Sequence, residues 1–206
     1  MTKGLLKPEF FNRDPRTVAR ALLGKLLVRK TRQGALAGRI VETEAYLGTD
    51  DAAAHTAAGK TARNAVLFGP PGYAYVYFIY GNYFCLNVSC LPDGVPGGVL
   101  FRALEPVAGI EQMAKARGIR MGGGVDTAGV SFLKKLTSGP GRMSDALGIT
   151  RARDNGKRFF SPRSDLQIID DGRRVGRVMV TPRIGIVKSA EQPLRYLIAG
   201  NGFVSG

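Results

Sequence analysis

The sequence is poor in the residues that bind metals and staple chains. It has one histidine, His55, and two cysteines, Cys85 and Cys90. That is too small a ligand set for a structural zinc site, so no metal and no other cofactor is expected. On one extended strand an odd spacing points the two thiols to opposite faces, so no disulfide between them is expected either. A reducing, cytoplasmic setting fits that pattern. No apolar run approaches the ~20 residues that a membrane-spanning helix needs. The opening stretch MTKGLLKPEFFNRDPR lacks the apolar core of a signal peptide. No membrane partner is therefore expected. There is neither an internal repeat nor a low-complexity segment.

Negative charge is also scarce. Thirty Lys and Arg stand against 16 Asp and Glu, a net charge of +14. An excess of that size favours a polyanionic partner, because neutralising phosphates releases counterions. Nucleic acid is the first candidate. At 206 residues the chain is long enough to bury one core without staples, which suggests a single domain over 1–206.

What is present reads as α+β. RDPRTVARALLGK is a marked helix, with Asp14 as N-cap, Pro15 in the first turn and Gly24 past the end. Val18, Ala21 and Leu22 are its expected apolar stripe. KLLVRKT and ALAGRIVETEAYL, joined by a tight turn, read as a hairpin. Residues 48–72 are a long loop of small residues, a place where function often resides. YAYVYFI and YFCLNVSC form a second, protruding hairpin, and VLFRALE a further strand. Glu105-Pro106 reads as the start of a helix closed by Gly118. MGGGVDTAGV reads as a surface loop. Helices are expected near Phe132–Leu136 and from Pro140 to Leu147. RARDNGKRFFSPRSD, residues 151–165, reads as a solvated loop or as a phosphate contact. LQIID, RVMVTPRIGIV and PLRYLIAG read as short strands. Hairpins outnumber βαβ units, so a mixed, mostly antiparallel, curved sheet with flanking helices is expected.

Two stretches are unusual. In YAYVYFIYGNYFCLNVSC, Tyr80 directly precedes the Gly81-Asn82 corner, which suits a two-residue type II′ turn. A tip is the part of a hairpin least able to reach a core. A rigid aromatic there, on a basic protein, suits a wedge that fills the space of an extruded nucleotide. In RIVETEAYLG, alternation puts Glu42, Glu44 and Tyr46 on one strand face, and Val41, Thr43 and Ala45 on the other. Two carboxylates and a phenol make either a solvated edge paired with arginines or a catalytic face.

Three strings then stand in order: RIVETEAYLGTDDAAAHT, GYAYVYFIYGNYFCLNV and VLFRALEP. Together they closely resemble the 3-methyladenine (alkyladenine) DNA glycosylase family. FFNRDPRTVARALLGKLLVR, TARNAVLF and SGPGRMSDALGI resemble it too, and the tail RVGRVMVTPRIGI…PLRYLIAGN does so more loosely. The resemblance implies a monofunctional base-excision repair enzyme with no lyase step. Such an enzyme flips an alkylated or deaminated purine out of double-stranded DNA and hydrolyses its N-glycosidic bond. It implies Glu44 as the base that activates water and Arg102 as an arginine beside it. It implies Tyr46, His55 and Tyr77 around the flipped base, and Asn87 crowding the 2-amino group of guanine. It implies Tyr80 as the intercalating residue. Arg63, Lys134, Lys135 and Arg142 are candidates for phosphate contact.

A strict two-residue turn would put Tyr77 and Asn87 on opposite faces, since Tyr77 would then pair with Leu86. An irregularity between them, either a bulge or a different turn, is therefore expected. Two other functions remain open on the residues alone: a non-catalytic protein that binds damaged or bent DNA, and a nucleoside hydrolase of small substrates. Nothing in the sequence requires more than a monomer.

Overall fold

The computed structural model describes residues 4–79, 81–120 and 129–206. Tyr80 and most of the MGGGVDTAGV stretch therefore lie outside the described residues. The chain opens with helices α1 (Pro8–Phe11) and α2 (Pro15–Leu22). The Asp14 side chain accepts from the Arg16 N–H at 2.8 Å, the expected cap. Val18, Ala19 and Leu22 are buried, so Ala19 rather than Ala21 completes the stripe. Strands β1 (Leu26–Thr31) and β2 (Gly34–Tyr46) form the first hairpin. After a 3-10 turn at Ala65–Phe68 come β3 (Ala74–Ile79), β4 (Tyr83–Ser89) and β5 (Gly98–Ala108). Helices α3 (Ile110–Ala116), α4 (Val130–Thr137), α5 (Pro140–Ala146) and α6 (Arg151–Asp154) follow. The chain ends with β6 (Leu166–Ile169), β7 (Val178–Thr181) and β8 (Arg195–Ile198).

One sheet organises the fold, in the order β3-β4-β5-β2-β1-β6. The first half of β2 pairs with β1, its second half with β8, and β7 lies outside β8. Every pairing among the described residues is antiparallel. Helix α2 covers one face, and the main core runs between them through Val18, Leu22, Ile40, Phe101 and Leu104. Cys85 and Cys90 are both free and buried.

Three expectations fail, each for a local reason. Glu105-Pro106 does not open a helix: β5 runs through it, and the helix starts only at Ile110. Pro106 pairs with Gly38 where the β2–β5 register shifts, a place where a missing N–H breaks no ladder bond. The strand expected over RVMVTPRIGIV stops at Thr181, because Pro182 cannot continue the ladder. The chain is thereby released to fold back toward β2. The 151–165 segment is not a solvated loop, since Asp154 and Phe159 are fully buried.

That last segment is tied to β1 by a buried ion cluster. Arg29, itself fully buried, approaches Asp154 at 2.8 Å and Asp165 at 3.0 Å. Lys157 lies 2.9 Å from Asp154, and the Thr150 N–H donates to Asp154 at 3.0 Å. Asp154→Ala would leave Arg29 Nη2 buried without a carboxylate, and only the partly exposed Asp165 to balance the guanidinium charge. It should cost about 3–5 kcal/mol of stability, read as a fall in the urea midpoint.

Candidate active site

The site is built where the sheet is irregular. Along β2, Ile40 pairs with Leu104 and Glu42 with Ala103, so Val41 is an extra residue. Along β5, Ala103 faces Glu42 and Phe101 faces Thr43, so Arg102 is the extra residue there. Bulges re-aim side chains and recur beside functional sites. Here they change the expected alternation. Ile40 and Ala45 belong to the main core, and the Thr43 hydroxyl donates to the Ala19 carbonyl of α2. Val41 instead packs with Ala103 and Phe203 in a separate cluster. Val41 thus joins Glu42 in meeting the C-terminal segment, rather than lying on the face opposite to it.

Neither glutamate lies on a solvated edge, because both are fully buried. Glu42 accepts four bonds. Its Oε1 accepts from Arg102 Nε at 3.0 Å, Arg195 Nε at 2.6 Å and Ser205 Oγ at 2.9 Å. Its Oε2 accepts from the Ser205 N–H at 2.6 Å. Glu44 accepts three. Its Oε1 takes Arg102 Nη1 at 3.2 Å and the Ile184 N–H at 2.8 Å. Its Oε2 accepts one bond among the described residues, from the Tyr46 hydroxyl at 3.1 Å. Burial opposes the charge on Arg102, but Glu44 and Glu42 outweigh it and raise its pKa above the usual guanidinium value. Burial, and then the Glu44 charge, push the Tyr46 phenol far above its ordinary range, so it remains a donor.

In front of Glu44 lies a cleft of about 700 Å³. Tyr46, Arg102 and Ile184 wall the end nearest the carboxylate; Glu44 itself sits one layer behind them. Tyr77, His55 and Asn87 line the cleft as well. The hairpin explains how. Pairing ends at Ile79 with Tyr83, leaving three residues between the strands rather than two. Tyr77 therefore opposes Cys85, Tyr75 opposes Asn87, and all four project to one face. The expected irregularity is the longer turn; the ladder itself is regular. The Asn82 N–H closes the turn on the Ile79 carbonyl at 3.4 Å. Gly81 takes the third position at φ +73°, a conformation that favours glycine. Helix α5 packs against β4 because Gly141 carries no Cβ, which would lie 2.7 Å from the Tyr83 ring.

His55 packs edge-on against Tyr77 with centroids 4.4 Å apart, and its Nδ1 lies 3.0 Å from the Tyr75 hydroxyl. Desolvation against these rings, and then Arg63, lower its pKa below the ordinary 6.5. The Asn64 amide bonds the His55 carbonyl at 2.8 Å and fixes the loop. Asn87 donates to the Tyr75 carbonyl at 3.2 Å and is nearly buried. Of the phosphate candidates, Arg142 lines the cleft, and Arg63 lies 6.0 Å over the Tyr77 ring. Lys134 and Lys135 sit in the last turn of α4 and do not line the cleft.

Several site residues carry no sequence signal. Ser205 and Arg195 reach Glu42 from 163 and 153 residues away. Arg183 forms a buried two-pronged ion pair with Asp51, at 2.5 and 2.8 Å, and lies 4.6 Å over the Tyr46 ring. Asp51 stands in the quoted DDAAAHT string but gave no hint of a partner.

A curled antiparallel sheet holds a buried carboxylate behind an aromatic cleft on a strongly basic chain, the arrangement of a candidate enzyme pocket. The methylpurine-DNA glycosylase family model matches residues 9–202. A relative from Koribacter versatilis, named "Putative 3-methyladenine DNA glycosylase", is 66% identical over 96% of this chain and 91% of its own length. Relatives of the same name from Burkholderia cenocepacia and Methanocella arvoryzae are 46% and 44% identical. They cover 96% and 93% of this chain, each over 89% of its own length. The chain belongs to the methylpurine-DNA glycosylase family, which makes it a hydrolytic DNA glycosylase of base-excision repair.

His55 is the lone histidine, so its titration can be followed directly by NMR. The midpoint should lie below 6.5. The fold favours the neutral ring, so stability from this residue is full above the free-imidazole range and declines as pH falls through it.

Proposed function

We propose that this chain releases alkylated and deaminated purines from double-stranded DNA, as a monomer, by water attack activated by Glu44. The product is an abasic site, with no lysine adduct. The observation that carries the reading is the difference between the two buried glutamates. Glu42 accepts four bonds, and of its partners only Arg102 lines the cleft, so it serves as a strut. Glu44 accepts three bonds, all from residues that line the cleft, Arg102, Ile184 and Tyr46, and its Oε2 keeps an acceptor direction free behind them.

Alkylation at a ring nitrogen makes the purine a cation and a good leaving group, so the base needs no acid. The sugar becomes oxocarbenium-like, and the attacking water must lose a proton. One carboxylate serves both needs: it accepts the proton and stabilises the developing positive charge. Arg102 and the Ile184 N–H fix Glu44 Oε1, leaving Oε2 to face the water. Tyr46, His55 and Tyr77 enclose the flipped ring, and electron-rich faces favour a cationic one. A neutral His55 adds no repulsion. Asn87 projects beside Tyr77 and crowds an exocyclic 2-amino group. Tyr80, three residues beyond Tyr77, enters the duplex where the purine was. The +14 net charge draws in the backbone.

Glu44→Gln should keep its affinity for lesion-bearing duplex yet lose base release by about 10²–10⁴-fold, measured as abasic sites under single turnover. Equal release by both proteins would reject Glu44 as the base, and no release by wild type on any lesion would leave a binding protein. Tyr80→Ala should slow release from a fully paired duplex by about 10-fold or more. It should slow release far less from a lesion opposite a gap, where unstacking costs little.

A further inference from the structure

Tyr46 is wedged between the cleft and a buried cation. Its ring lines the cleft, whereas Arg183 does not and is fully buried. The guanidinium lies 4.6 Å from the ring centroid, so it covers one face of the ring. It cannot leave. Both Nη atoms bond Asp51, at 2.5 and 2.8 Å, and Nη1 also donates to the Ala45 carbonyl at 3.1 Å. Nε has no partner among the described residues, so part of the positive charge next to Tyr46 is unshielded. Burial opposes that charge, but Asp51 outweighs it and holds Arg183 protonated.

A cation on one face of a π-system lowers the attraction of the opposite face for a second cation. In a desolvated site the effect is felt through the thickness of the ring. The Tyr46 hydroxyl acts the other way, since its bond to Glu44 Oε2 enriches the ring. We infer that Arg183, held by Asp51, is a specificity-determining residue that sets how strongly the Tyr46 wall prefers a cationic purine over a neutral one. The guanidinium weakens that preference and so keeps neutral damaged purines within the substrate range. This inference rests on the glycosylase reading above, and it assigns a task to a buried ion pair that the chemistry at Glu44 does not use.

The test is a ratio, which a merely structural pair would leave unchanged. Asp51→Asn/Arg183→Met removes the pair without stranding a charge. Arg183→Lys keeps a cation against Asp51. Single-turnover release is measured from duplexes carrying 7-methylguanine, which is cationic, and hypoxanthine, which is neutral. The double variant should raise the cationic-to-neutral ratio by about 3- to 10-fold, even if both rates fall. Arg183→Lys should hold the ratio within about twofold of wild type. A ratio unchanged in the double variant, or lowered by it, overturns the inference.

A second arm separates this inference from the glycosylase reading. Binding of the 7,9-dimethylguaninium cation and of neutral 9-methylguanine is followed by NMR at the His55 ring. If wild type releases no base but the double variant still shifts this binding ratio toward the cation, the glycosylase reading fails and the role of Arg183 stands. If wild type releases base and neither ratio moves, the role of Arg183 fails alone. Failure of both probes to reach the ring also overturns it.

Discussion

The structure depends on a buried cation shared by two carboxylates. Arg102 lies between Glu42 and Glu44, at 3.0 and 3.2 Å, with both acids removed from water. Either acid alone at that depth would be costly, and two acids together more so. The single guanidinium makes the pair tolerable, but only with added donors. Arg195 and Ser205 supply them for Glu42, and the Ile184 N–H and the Tyr46 hydroxyl for Glu44. The C-terminal segment is therefore not a tail laid over the fold. It completes the hydrogen bonding of a charge that the sheet could not otherwise bury.

That requirement shapes the sheet. The extra residues Val41 and Arg102 sit on neighbouring strands at the same level. Together they let Phe101 and Leu104 both face the main core while Arg102 and Ala103 between them face the other side. The irregularity costs regular ladder bonds, and it places a guanidinium and two carboxylates where water is excluded but a cleft is near. The hairpin uses a similar device at its far end. One extra turn residue brings Tyr77 and Asn87 to the same face.

Much of this could be read directly. The Asp14-Pro15 helix start, the two hairpins and the pairing of Glu42 with Glu44 on one side of β2 follow from local rules of capping, alternation and turns. What failed did so where two local rules compete. Pro106 looked like a helix start, because proline suits a first turn; the register shift opposite Gly38 let a strand accept it instead. RARDNGKRFFSPRSD looked solvated because it is rich in charge, yet Arg29 recruits Asp154 and Asp165 into a buried cluster.

By itself, the sequence determined which groups are chemically available. There is one histidine, one glutamate pair two residues apart, a run of tyrosines and a surplus of positive charge. These are properties of residue type and near spacing, which short-range sterics translate into faces and turns. Only the tertiary structure decided which glutamate is held mostly by residues away from the cleft and which only by residues that line it. Only it brought Ser205 to Glu42 and Arg183 to Asp51, across 163 and 132 residues. The reason is that the energy of a buried charge depends on every donor that the whole fold brings within 3 Å, and no local stretch of chain specifies that set.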